Sequence, residues 1–380
     1  MIGQRGIPAT FGGVEHHVEE LGARLAERGH EVTVYTRTNY TAERHPTYRG
    51  MRPRYLPTVH SKHLDTIVHS ALSTVDVLRA GADVIHYHAV GPGIPAVLPR
   101  YLSRARVVLT VHGLDAERAK WNTPARTVLR AAQWMSSRVP DATIVVSQDL
   151  ADHYRRRYRR PTWVIPNGVS EPTPRPAEEI RRRFGLAGGD YVLFVGRLVP
   201  EKAPDLLLRA FSMVDGDTKL VLAGGSSFTD DFVRRIHALA ASDPRVILPG
   251  YVYGRLLEEL YSNAAAFVLP SLLEGLPLTL LEAASYGTPI IASDIPPHVE
   301  ILGGDGPGRR LVVAGDQTSL VATLEATLRD LEGERAGAER VSTDVVAAHR
   351  WDDAVSATEE VYRSVLTRPR AGPPPREDLA

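Results

Sequence analysis

Glu274 and Glu282 stand eight positions apart in the stretch PSLLEGLPLTLLEAASYGTPIIASD. Glu274 follows the apolar, strand-like run AAFVLP and falls in a short loop. Pro277 suits the first position of a helix, where its missing N–H would be unpaired in any case. The amides of Leu278, Thr279 and Leu280 then form a helix start, which suits an anion. Glu282 lies farther along that helix. An acid on each side of a diphosphate cradle is what a nucleotide sugar needs: one hydroxyl acceptor at the sugar, another at the ribose. Taken alone, the pair also reads as a helix cap and a solvated helix residue.

Two cations point the same way. DYVLFVGR ends a strand, Gly196 turns the chain, and EKAPDLLLRAF starts a helix near Pro204. Arg197 and Lys202 therefore sit at the carboxyl end of a strand, where open α/β sheets bind ligands. A planar fork and a point charge there would neutralise a leaving diphosphate. The plainer alternatives are two surface cations, or a Lys202 paired with Glu201. His112 ends the run RVVLTVHG, again at a strand's carboxyl end, and could hold a reacting hydroxyl or satisfy a turn carbonyl. The loop after it, DAERAKW, offers Asp115, Lys120 and Trp121 to an acceptor sugar, or is a solvated face with one buried indole. Glu15 and His88 complete the candidate acceptor set.

The glycine loop running from Gly3 to Gly12 and Gly13 precedes a helix from Val14 and lets the backbone approach a ligand. Its spacing is not the dinucleotide fingerprint. Tyr35-Thr36-Arg37 closes the next strand without an acid, which argues against NAD. No cofactor is expected, and no metal. His16 and His17 are helix neighbours and cannot both face one point. His86 and His88 could share a strand face, yet no acid or thiolate partner is placed beside them. Asp215-Gly216-Asp217 reads as a turn at the wrong end of a strand for catalysis.

The elements that must position these residues alternate in two series. HEVTVYT, ADVIHYH, ARVVLTVHG, ATIVVS and PTWVIPNGV form the first; DYVLFVGR, TKLVLAGG, RVILPGY, AAFVLP, PIIAS and RLVV form the second. Apolar, β-branched strands alternating with amphipathic helices predict parallel sheets covered on both faces. The expected architecture is α/β, with two doubly wound, Rossmann-like domains facing a cleft. Expected boundaries are 1–168 for the acceptor-side domain, a proline-rich linker over 169–188, and 189–350 for the nucleotide-sugar domain. A helix over 351–367 packs back on the first half, and 368–380 is a disordered tail. Only Met1 and Ile2 precede Gly3, so either the first strand is very short or the chain begins upstream.

Lys plus Arg and Asp plus Glu each total 45 among 380 residues, so charge gives no reason to expect nucleic acid. Cysteine is absent, which removes disulfide and thiolate chemistry. No apolar run reaches the roughly 18 residues of a membrane span, and no signal peptide is visible. A cytoplasmic protein is expected. The basic run YRRRYRR, Tyr154–Arg160, is either a solvated helix end or a peripheral contact with the inner membrane face.

Together, VHG, VIPNGV, FVGRLVPEK, LAGG, PSLLEGLPLTLLEAASYGTPIIASD and PHVEIL follow the order and spacing of one family. The chain resembles the GT-B glycosyltransferases of retaining family four over nearly its whole length. GGVE, VHS, GPG and HGLDAERAKW are similar to a bacterial subgroup concerned with rhamnosyl and related sugar transfer in polysaccharides. The resemblance implies a hexosyl transfer from a nucleotide diphosphate sugar to a sugar, lipid-linked or small-molecule hydroxyl, with configuration kept and no metal required. It implies that Glu274 contacts donor-sugar hydroxyls, Glu282 the ribose diol, and His112 the reacting centre. Arg197 and Lys202 would hold the diphosphate with Gly13 and the amides of Leu278 and Thr279, and Gly12, Gly196 and Gly275 would line the donor site. The backbone at Tyr251 and Val252 would hold the base. The rival readings are a nucleotide-sugar epimerase or hydrolase, and a non-catalytic binding module.

Overall fold

The computed structural model describes residues 1–10, 12–41, 43–59, 64–114, 123–225 and 230–369. Two lobes are built on parallel sheets, as the alternation predicts. In the first lobe β1 (Thr33–Arg37) pairs with β2 (Arg52–Leu56). A second sheet orders β3 (Val84–His88), β4 (Arg106–Val111), β5 (Ala142–Val145) and β6 (Trp163–Val164) side by side. Met1 and Ile2 link the two sheets. The Ile2 amide donates to the His86 carbonyl at 2.9 Å, and the Tyr35 amide donates to the Met1 carbonyl at 3.1 Å. The first strand is thus one rung deep, and the glycine loop leaves it directly.

β2 is the strand that patterning does not reveal. RPRYL carries Pro53 and two arginines, and its side chains are half-buried or exposed. It sits at a sheet edge, where proline and charge are tolerated.

The second lobe holds β7 (Tyr191–Val195), β8 (Lys219–Ala223), β9 (Val246–Gly250), β10 (Ala266–Leu269), β11 (Ile290–Ser293) and β12 (Arg309–Val312). Their spatial order is β12-β11-β10-β7-β8-β9, all parallel. Every residue of β7 and β10 is buried, as a strand covered on both faces requires. The order reverses between β7 and β10. A crevice opens there at the carboxyl ends, because successive connections leave in opposite directions. Gly196, Arg197 and Lys202 follow β7, and Glu274 to Glu282 follow β10, so both groups border this crevice.

The chain crosses between lobes twice. The Val169 amide donates to the His349 carbonyl at 2.8 Å, tying the two crossings together. The last helix, Trp351–Thr367, lies on the first helix, Gly13–Glu27. Val355 is buried with Val18, Leu21 and Leu25 in a small core of its own. Arg28 and His30 reach Glu359 at 2.8 and 2.9 Å on its rim. The helix Glu179–Phe184 follows the proline-rich stretch and is closed by Gly185 in the left-handed region. Residues 370–380 lie outside the described part. Among the described residues no helix is long and apolar enough to cross a membrane.

Candidate active site

Lys202 and Glu274 meet at the switch point. Lys202 Nζ donates to Glu274 Oε1 at 2.6 Å, and Ser271 Oγ donates to the same oxygen at 2.8 Å. Both side chains are about one-eighth exposed, at 12% each. Burial pushes the Glu274 carboxyl upward, but the Lys202 ammonium, His298 and Ser271 together hold it below its usual range. The pair is therefore charged, and Lys202 does not pair with Glu201, the plainer alternative that the sequence left open. Glu201 instead faces Arg197 Nη2 at 3.8 Å, with both carboxylate oxygens buried and unbonded among the described residues.

Beyond Glu274 the chain turns into the helix Leu278–Ser285. Pro277 is its N-cap rather than its first helical residue, at φ −74° and ψ 115°. The Pro277 carbonyl accepts from the Leu280 amide at 3.2 Å. That removes Leu280 from the expected cradle and leaves the amides of Leu278 and Thr279 ahead of the helical ladder. The Thr279 hydroxyl beside them is buried without a partner among the described residues. Glu282 lies one turn on, where Tyr261 donates to Oε2 at 2.9 Å and His16 Nε2 stands 3.9 Å from Oε1. Burial pushes Glu282 above the usual carboxylate range, while His16 and Tyr261 pull the other way.

The first lobe closes on this surface. Gly275 packs on the His112 backbone so tightly that a Cβ there would lie 2.0 Å from the His112 carbonyl oxygen. Only glycine permits that approach. A Cβ on Gly13 would lie 3.6 Å from Leu278 Cδ1, so the start of the first helix faces the start of the Leu278 helix. Gly12 adopts φ +105°, a region costly for other residues. Glu15 turns back onto the glycine loop, where its carboxylate accepts from the Arg5 amide at 3.0 Å. The structure thus buries Glu15 against the glycine loop, at 7% exposure.

Gly196 ends β7 against the Lys202 stem. Tyr251 follows β9; its ring lies over Gly225 and stacks on Tyr253 at 6.2 Å, while Val252 is buried beneath. Asp115, Lys120 and Trp121 lie outside the described residues.

Several residues here carried no sequence assignment. Asn167, inside VIPNGV, donates Nδ2–H to the Leu276 carbonyl at 2.9 Å and so joins the lobes beside Glu274. His17 bonds the same amide group through Nδ1 at 2.9 Å. His298 donates Nδ1–H to the Ser293 carbonyl at 2.9 Å, and Ser293 Oγ donates to the Ser271 carbonyl. Burial lowers His298 to about 4. His88 Nδ1 and His112 Nε2 approach to 3.3 Å. The sequence pairs His16 with His17 and His86 with His88, whereas the fold gathers His17, His88 and His112.

With this geometry in place, known proteins are informative. Residues 11–171 match the family described as Glycosyltransferase Family 4, and residues 176–340 the family described as Glycosyl transferases group 1. A D-inositol 3-phosphate glycosyltransferase of Acidothermus cellulolyticus is 30% identical over 94% of this chain and 87% of its own. The chain belongs to the group 1 glycosyltransferases.

Sucrose-phosphate synthase from Thermosynechococcus elongatus superposes with a TM-score of 0.79 at 24% identity, covering 93% of this chain and 94% of that one. Anabaena HepE in complex with UDP-glucose superposes with a TM-score of 0.77 at 17% identity, covering 93% and 96%. At such identities the likeness is one of fold, and the fold is GT-B. This group 1 glycosyltransferase therefore places its candidate residues where two Rossmann-like lobes meet.

Proposed function

We propose that this glycosyltransferase moves a hexosyl unit from a nucleotide diphosphate sugar to a hydroxyl acceptor, with anomeric configuration kept and no metal required. The observation that carries the reading is the Lys202–Glu274 pair at the switch point, 2.6 Å apart beside the start of the Leu278 helix. An ammonium has three donors, and Glu274 takes one. The others remain for diphosphate oxygens, with Arg197 and the amides of Leu278 and Thr279. Positive groups fixed before reaction stabilise charge as it grows on the leaving diphosphate. Glu274 serves the donor-sugar hydroxyls and Glu282 the ribose. HepE, of the same fold, is a UDP-glucose complex, which supports this donor class.

In the reaction the anomeric carbon–phosphate oxygen bond breaks and an anomeric carbon–acceptor oxygen bond forms on the same face. The acceptor proton passes to the departing diphosphate oxygen. His112 contacts the sugar at the reacting centre. Closure of the lobes over the donor excludes water, which otherwise competes as acceptor. The biological setting we infer is bacterial polysaccharide, glycolipid or glycosylated natural-product synthesis at the cytoplasmic face, with rhamnosyl-type transfer as the subgroup reading. Relatives named for inositol 3-phosphate make a cyclic polyol phosphate a second acceptor to test.

A thermal-shift screen of UDP-, GDP- and dTDP-sugars tests the donor, since a ligand bound by the folded form alone raises its melting temperature. One donor class should shift the protein and, with an acceptor present, give a product whose NMR coupling shows the donor's anomeric configuration. A product formed equally without acceptor would mean epimerisation or hydrolysis. Inversion at the anomeric carbon would overturn the same-face route.

A further inference from the structure

Three imidazoles from three separate elements converge: His17 from the first helix, His88 from the end of β3, and His112 just beyond β4. One ring nitrogen from each lies within 4.8 Å of the other two. His17 and His88 are 4% and 0% exposed.

The tautomer of His17 follows from its neighbours. The Leu276 carbonyl can only accept, so Asn167 presents Nδ2 to it and Oδ1 to His17. His17 must then carry its proton on Nδ1. Its Nε2 is a bare lone pair, buried and without a partner among the described residues. An imidazole whose far nitrogen donates to a carbonyl oxygen is oriented as metal-binding histidines are. His88 Nδ1 and His112 Nε2 share a hydrogen bond of 3.3 Å, whose proton a cation would displace; the same separation fits two ligands on one tetrahedral ion with metal–nitrogen bonds of about 2.0–2.1 Å. The adjoining His86 behaves differently. It faces Tyr362 at 2.6 Å and Thr110 at 2.7 Å, so both of its nitrogens are used.

We propose that His17, His88 and His112 form a site for one zinc-class divalent cation, and that this cation and the donor sugar exclude each other. Three neutral nitrogen ligands suit zinc, copper or nickel; magnesium and calcium need oxygen ligands. The fourth position is left to water. Exclusion follows from the roles assigned to His112: the donor reading gives its ring to the sugar at the reacting centre, and one imidazole cannot serve sugar and ion at once. This second half rests on the donor reading given above. The ion is an inhibitor of transfer, in keeping with a reaction that needs no metal.

The test is equilibrium dialysis of the chelator-stripped full chain against zinc chloride, with metal counted by mass spectrometry. One zinc per chain is expected, undisturbed by a hundredfold excess of magnesium. His17→Gln and His88→Gln should each weaken binding tenfold or more. His30→Gln, at the surface against Glu359, should leave it unchanged. X-ray absorption at the zinc edge on the unaltered protein should report three imidazoles, which decides the ligands even where a variant fails to fold. Absence of stoichiometric zinc, binding unchanged in the folded variants, or a ligand shell without imidazole would each overturn the site. The dialysis needs no donor, so a chain that binds zinc yet, once stripped of it, transfers no sugar from any donor sinks the donor reading and leaves the site standing. Undiminished transfer at saturating zinc sinks the exclusion.

Discussion

Lys202 serves two neighbours at once, and its removal should show both. With Lys202→Ala the Glu274 carboxylate is left buried and unpaired, a loss that costs about 3–5 kcal/mol. Turnover should also fall by roughly 100-fold or more, the usual effect of losing one fixed donor to a growing charge. The double variant Lys202→Met/Glu274→Gln separates the two effects. Its melting temperature should recover toward that of the parent while turnover stays low; recovered turnover would remove Lys202 from the reaction. Glu282 belongs to ground-state binding. Glu282→Ala should raise KM for the donor by roughly 10- to 100-fold, the size of a charged hydrogen bond, with kcat within a few-fold. A fall in kcat alone would contradict its assignment to the ribose. The charged pair was half legible beforehand. Both residues stood at strand ends in the sequence, but which acid met Lys202 depended on contacts 72 positions apart.

At the scale of elements, two short stretches decide whether the cleft can form. Gly275 meets the His112 backbone, and neither atom can retreat without moving a lobe. Gly275→Ala should abolish transfer while leaving the melting temperature of each lobe near normal; full activity would show that the lobes need not touch there. Trp351, at 3% exposure, caps the second crossing against Gly168, with the His17 ring 5.7 Å from its own. Trp351→Ala should cost about 3–5 kcal/mol by leaving a cavity, read as a lower urea midpoint. Strands and helices were legible because burial on both faces writes itself as apolar runs. Edge strand β2 and the one-residue rung at Ile2 were not, since their stability comes from neighbours rather than from their own pattern.

Six histidines are buried among the described residues. Burial lowers His17, His69 and His298 each to about 4, and holds His86 and His88 well below the usual imidazole range. For such a group the unfolded chain binds the proton first, near pH 6.5. Its contribution is whole above that pH and shrinks as pH falls toward the folded value. Three such groups alone give a slope approaching about 4 kcal/mol per pH unit as pH falls from 6 to 5. Urea midpoints should therefore drop steeply from pH 6.5 downward, well above the carboxylate range. A flat profile to pH 5 would mean that these imidazoles are solvated. Independently, transfer should persist in excess EDTA, and loss of activity there would refute a metal-free reaction.

What the sequence determined by itself was chemistry type and chain order: acids after one strand, cations after another, glycines where backbones must approach, and the alternation that makes two parallel sheets. These are local facts, set by strand burial and helix starts. The tertiary structure alone decided partnership. It set Lys202 on Glu274, turned Glu15 back onto its own loop, used up the Leu280 amide, and brought together three histidines from distant elements. Such choices depend on which surfaces two lobes present to each other, and no short-range pattern encodes the distance between them.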